Sequence, residues 1–234
     1  MKKKICALSL AALFFASARG ADFSTVVNAT IPDGDLSGFQ NSQTLSGLSG
    51  PILDVNVTLN ISGGFNGDLY ALLSHGNATA VLLNRVGRTS ASTFGYPDAG
   101  FGPDSSLTQF TLDDQAAHDV HLYRAFAYTL NAGELTGQWQ PDGRNIDPLS
   151  PGSAFDGAAR SNGLGVFDGM DPNGPWTLFV ADVSPGGEGT LVGWGLQITA
   201  VPEPSSARLI CGGIAAAVFW NFRPRFDRRR LGGV

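Results

Sequence analysis

The chain has 234 residues, of which 43% are hydrophobic, enough for a packed core and too many for a disordered polymer. Its formal charge of -5 is unevenly spread. From Arg19 to Val201, six arginines stand against eighteen acids, which excludes nucleic acid as a partner. The two cysteines, Cys6 and Cys211, both lie outside that span, so a disulfide framework is excluded as well.

In chain order, three lysines (Lys2–Lys4) precede the apolar run ICALSLAALFF and the small residues Ala16-Ser17-Ala18. That order is the pattern of a secretory signal peptide, residues 1–18, with cleavage after Ala18 and Gly20 as the alternative. Ile5–Phe15 is too short to cross a bilayer alone. A body over residues 22–200 follows, punctuated by 26 of the chain's 31 glycines and by Asp-Gly or Asn-Gly pairs beginning at Asp33, Asn66, Asp142, Asp156, Asn162, Asp168 and Asn173. LDVNVTLNI alternates strictly, placing Leu53, Val55, Val57, Leu59 and Ile61 on one face. WTLFVAD sets Trp176, Leu178 and Val180 inward, and GWGLQIT does the same with Trp194, Leu196 and Ile198. Further strands are expected at Phe23–Ile31, Asp68–Ser74, Ala80–Asn84, Leu107–Leu112 and Arg124–Thr129, and a long loop over Asn131–Gly169. Gly189 and Gly193 are expected at the turn between the strands of Trp176 and Trp194, taken as neighbours. Short strands with frequent turns imply an all-β fold, an antiparallel β-sandwich or jelly roll. The chain closes (201–234) with a Pro-Glu-Pro corner (Pro202, Glu203, Pro204), the twelve-residue apolar run Leu209–Trp220, and arginines including Arg228, Arg229 and Arg230.

Three stretches of the body together resemble the P/Homo B domain, the β-sandwich behind the catalytic domain of kexin- and furin-like proprotein convertases. They are GGFNGDLYALLSHGNATAVLLNRVG (Gly63–Gly87), FTLDDQA (Phe110–Ala116) and FDGMDPNGPWTLFVADVSPGGEGTLVGWGLQIT (Phe167–Thr199). Asn131–Gly165 is longer and richer in glycine than that family's connection. The tail resembles the PEP-CTERM sorting signal of bacterial exosortase systems. The resemblance implies an exosortase-type processing enzyme as partner, transient membrane association through the C-terminal segment, and a final home on the cell envelope or outside the cell. Arginines beyond a short apolar run fit retention on the cytoplasmic side before processing.

The P/Homo B resemblance also raises serine-type endopeptidase activity. His75, His118 and His121 lie in none of the surroundings of a Ser-His-Asp triad, and no Gly-x-Ser-x-Gly elbow occurs. His118 and His121, three apart, would point to opposite faces of an extended strand, which argues against zinc. Asp68, Asp113, Asp114 and Asp182 fall at strand ends in the family-like stretches, and hard carboxylate oxygens of this kind are what calcium requires. The expected function is a non-catalytic exported module. The alternatives are a glycan-binding jelly roll contacting exopolysaccharide through loop aromatics Trp139, Tyr96 and Phe101, or an accessory domain stabilising a separate peptidase.

Overall fold

Alternation in three segments dictates the centre of the molecule. A computed structural model describes residues 19–102 and 110–201, which belong to one compact unit, Ala18–Val201. The expected leader (1–18) and the expected sorting tail with Pro202, Glu203, Pro204, Arg228, Arg229 and Arg230 lie outside the described residues. The LDVNVTLNI segment becomes β3 (Ile52–Gly63), which pairs antiparallel with β12 (Gly189–Ala200), which in turn pairs with β1 (Arg19–Ile31). Short strands extend this sheet beyond β3: β6 (Gly100–Phe101), β7 (Phe110–Leu112), β8 (Leu130–Asn131), β9 (Glu134–Leu135) and β10 (Gly137–Trp139). The pairs β6–β9 and β7–β10 are parallel. The second sheet is wholly antiparallel, in the order β2 (Asp35–Leu45), β11 (Gly174–Asp182), β4 (Leu69–His75) and β5 (Ala78–Asn84). The fold is an all-β sandwich of two sheets.

The sheets close on each other through their inward faces. Trp176, Leu178 and Val180 of β11 are fully buried, as are Trp194 and, nearly so, Leu196 and Ile198 of β12. Each such side chain contributes about 1.5–3 kcal/mol by leaving water. The two tryptophans sit on facing sheets, not on neighbouring strands of one sheet as the sequence suggests. The indole N–H of Trp194 donates to Asn41 Oδ1 on β2 at 2.8 Å and so ties one sheet to the other. Trp176 donates to the Pro172 carbonyl at 3.0 Å and stacks on His75 with ring centres 4.1 Å apart.

Several expectations are corrected. Leu53 is 50% exposed and Ile52 is buried instead, because the pairing of β12 with β3 shifts between Thr199 and Ala200. Arg124–Thr129 is not a strand: Asp119 caps a 3-10 segment, Val120–Ala125, by accepting from the His121 backbone N–H. Of Leu107–Leu112, the described part, Phe110–Leu112, is strand. The expected loop over Asn131–Gly169 contains β9, β10, a single helical turn α1 (Gly152–Phe155) and a 3-10 segment, Leu164–Phe167. Gly193 lies within β12 at a register shift, not in the turn that precedes it. Among the described residues, no helix is long and apolar enough to cross a membrane.

Candidate binding cleft

Antiparallel pairing of β11 with β4 sets Asp182 opposite Leu69, so Asp182 and Asp68 meet at one end of the second sheet. The Val183 N–H donates to the Asp68 carbonyl at 2.8 Å and fixes that junction. Arg85, which follows β5, is drawn to the same place. It adopts a left-handed backbone (φ 52°), a costly conformation for a long side chain, and its guanidinium donates to the Gly67 carbonyl and to Asp68 Oδ1 at 3.5 Å. Arg85 is 3% exposed, and burial with the nearby Arg88 charge lowers it to about 10 against the pull of Asp68 and Asp182. Burial likewise pushes the Asp68 carboxyl up, although Arg85 and the Ser184 hydroxyl pull it down.

Asp182 is the most constrained member. It has no exposed surface; one carboxylate oxygen accepts from the Ser184 backbone N–H at 3.2 Å, and the other, Oδ2, has no hydrogen-bond partner among the described residues. Burial, followed by the Asp68 and Asp33 charges, pushes its carboxyl up to about 6, against the Ser184 N–H and Arg85. Asp68 and Asp182 therefore share the buried Arg85, with the Arg88 and Asp33 charges near enough to act on the group.

Above this floor opens a cleft of ≈ 470 Å³. One wall is the segment Phe94-Gly95-Tyr96-Pro97; the other is Phe65 with Ser184-Pro185-Gly186; Asp68 lies at the base. Phe94 is 80% and Phe65 40% exposed. Backbone bonds hold the first wall rigid: Gly67 N–H to the Tyr96 carbonyl at 2.8 Å, Tyr96 N–H to the Val86 carbonyl at 2.9 Å, and Asn66 N–H to the Asp98 carbonyl at 2.9 Å. A methyl group on Gly67 would lie 2.2 Å from the Phe94 carbonyl oxygen, so only glycine permits this approach. Behind the wall, Tyr123 donates to Asp98 while Arg124 grips the same carboxylate at 2.6 and 2.8 Å. Burial works to raise the Asp98 carboxyl, but these bonds outweigh it and hold it below the ordinary range. The Asp33 carboxylate fixes the second wall by accepting from the Gly186 N–H at 3.0 Å. Sequence reasoning does not single out Phe65 or Phe94; Phe94 lies in an unpatterned loop, and nothing local marks it as presented.

The structure divides the expected calcium ligands. Asp68 and Asp182 meet, whereas Asp113 and Asp114 belong to a separate acidic patch with Asp54 and Asp168. Asp114 spends its oxygens on the Leu164 and Gly165 backbone N–H groups, at 3.1 and 2.6 Å. Among the described residues, no three His, Cys, Asp or Glu side chains gather closely enough to hold a metal, so a four-aspartate calcium site does not fit. The expected aromatic platform also fails. Phe101 is fully buried and Trp139 is 4% exposed, its N–H bonded to the Thr136 carbonyl, because β6 and β10 fold these residues into the core. Tyr96 alone of the three faces the cleft, and Arg124 lies over its ring at 5.1 Å.

The histidines have structural work. Both ring nitrogens of His75 face carbonyl oxygens, those of Pro175 and Asp171, at 2.9 and 2.7 Å. His121 is buried in a 3-10 turn, with Nδ1 on Asp142 at 2.6 Å and Nε2 on the Arg88 carbonyl at 3.0 Å. His118 stacks on Phe126.

The fold and cleft thus define a two-sheet β-sandwich with a preformed aromatic cleft. No family model and no curated protein matches the chain. Among solved structures it is similar to a chain in the complex of the Aeromonas sobria serine protease with the chaperone ORF2, at 16% identity and a TM-score of 0.40 over 79% of this chain. It is also similar to the serine protease of Aeromonas sobria alone, at 16% identity and 0.39 over 80% of this chain. The chain spans 27% and 28% of the length of those two structures.

Proposed function

We propose that the chain is a non-catalytic, exported β-sandwich module that acts by binding, and that its tail is read by an exosortase-type enzyme. The observation that carries the binding reading is the cleft, where rigid backbone holds Phe94 at 80% exposure beside Phe65. Holding large apolar groups in water costs free energy that a partner recovers on covering them. The histidines support the non-catalytic half, since the ring nitrogens of His75 and His121 are committed to carbonyl and carboxylate oxygens rather than to a hydroxyl nucleophile. The signal-peptide and Pro-Glu-Pro patterns support export and sorting. Resemblance to the P/Homo B domain supports an accessory role beside a separate peptidase, the class of partner a binding module of this fold would serve.

The test has two arms. The protein purified after export is assayed on peptide, ester and glycoside substrates, alone and as His121→Gln with its fold checked by circular dichroism. No turnover is expected; turnover that His121→Gln abolishes would overturn the non-catalytic reading. Mass spectrometry of the same protein is expected to show an N-terminus at Arg19 and loss of Arg228–Arg230. Retention of those arginines would overturn the sorting reading.

A further inference from the structure

From the cleft's geometry and charge we infer that it receives a single arginine or lysine side chain presented by a partner polypeptide, with an apolar neighbour of that residue covering Phe94. The inference rests on the binding-module reading and names its ligand. Phe65, Tyr96, Pro97 and Pro185 all line the opening, an apolar lining that suits the long aliphatic stem of a basic residue. At the base stands Asp68, whose charge and that of Asp33 both raise the buried Asp182 carboxyl, with Arg85 and Arg88 as the cations that act on Asp68. Asp182, set beside Asp68 by the β11–β4 register, adds a second negative centre, and its Oδ2 has no donor among the described residues. Arg124 does not offset this charge, because Asp98 grips it through two hydrogen bonds. The -12 balance of the whole body reinforces the selection, steering cations inward and repelling acidic segments.

Occupants of other chemistry match less well. An anionic group would meet Asp68 at the base. A sugar would meet Phe65 and Phe94, the two exposed aromatics, which carry no polar atom for its hydroxyls, and the polar side chains of the lining are few: Asp68, Tyr96 and Ser184. Walls that are already held by backbone bonds would not have to be ordered on binding, which favours a short linear segment over a large surface.

The experiment is calorimetric titration of the exported protein with N-acetyl-Leu-Arg-Leu amide, the same peptide with citrulline replacing arginine, and a neutral oligosaccharide. Citrulline preserves shape and removes the charge. The arginine peptide is expected to bind about tenfold or more tightly than the citrulline peptide, and to weaken as salt rises. Phe94→Ser, at an exposed tip where folding is not at risk, is expected to weaken binding about tenfold. Asp182→Asn, which removes charge without breaking the Arg85–Asp68 pair, is expected to reduce the preference for arginine over citrulline. Equal binding of the two peptides, indifference to Phe94→Ser, or oligosaccharide binding that Phe94→Ser abolishes would each overturn the inference. None of these outcomes bears on the turnover assay, so the non-catalytic reading stands or falls separately.

Discussion

Replacing Asp182 by asparagine should stabilise the protein at neutral pH, a reversal of the usual cost of altering a buried residue. Asp182 is fully buried, and its carboxyl is pushed up to about 6, chiefly by burial, from 3.8 for the free group. The folded state therefore holds this proton more tightly than the unfolded chain does. Stability from this group is present at pH below about 4, declines as pH rises to about 6, and is absent above that. Proton binding that is roughly a hundredfold tighter, at ~1.4 kcal/mol for each factor of ten, gives a penalty on the order of 2–3 kcal/mol at pH 7.5. Asparagine keeps the acceptor for the Ser184 N–H and offers a donor where Oδ2 now has no partner, with the Asp68 and Asp33 carboxylates near enough to shift this group. Thermal melting of wild type and variant from pH 4 to 7.5 measures the difference. At roughly 2–4 °C per kcal/mol for a domain of this size, the variant should melt about 4–12 °C higher at pH 7.5 and within about 2 °C of wild type at pH 4. A variant that melts lower at pH 7.5 would refute the reasoning, because it would mean that the charged form is an essential partner of Arg85.

Asp142 should behave in the opposite way. It is fully buried between His121 and Arg144, and burial works against the Arg144 charge until Asp142 and Asp119 outweigh it. Asp142→Ala should therefore cost about 3–5 kcal/mol in denaturant titration; a loss below about 1 kcal/mol would contradict this network. Gly67→Ala should push back the Phe94 wall, costing about 1–3 kcal/mol and abolishing peptide binding, since its methyl would meet backbone rather than a movable side chain. With the four aspartates divided, excess chelator and millimolar calcium should give the same melting curve; a calcium-dependent rise would point to ligands outside the described residues. Replacing Pro202-Glu203-Pro204 by alanines should leave the protein uncleaved in the inner membrane, whereas equal processing of parent and variant, judged by mass spectrometry, would contradict the sorting reading.

The strands visible in the sequence are those with regular alternation and a buried face: β3, β11 and β12. The strand β2 is hidden there because its inward positions include Asn41 and Gln43, polar residues whose value emerges only when the facing sheet supplies the Trp194 indole. Surroundings rich in glycine and proline give Trp139 and Phe101 the look of exposed loop residues. Their burial depends on two- and three-residue strands whose partners lie far along the chain, at Leu135, Phe110–Leu112 and Ile61. His121 resists placement from the sequence because the capping role of Asp119 decides its turn. Asp68 and Asp182 stand out as acids at strand ends, but what sets them apart from Asp113 and Asp114 is the register of β11 on β4. The cleft walls are backbone constructions around Gly67 and Gly95, and no periodicity encodes those.

The binding cleft is tested most directly by mapping backbone amide shifts by nuclear magnetic resonance while the arginine peptide is added to the labelled protein. The amides of Gly67, Gly95, Tyr96, Ser184 and Gly186 should move together in a saturable way, with Phe94→Ser and the citrulline peptide suppressing the change. Shifts that cluster instead around Asp114, Gly163 and Gly165, or no saturable shifts at all, would contradict the cleft as the working surface of this protein.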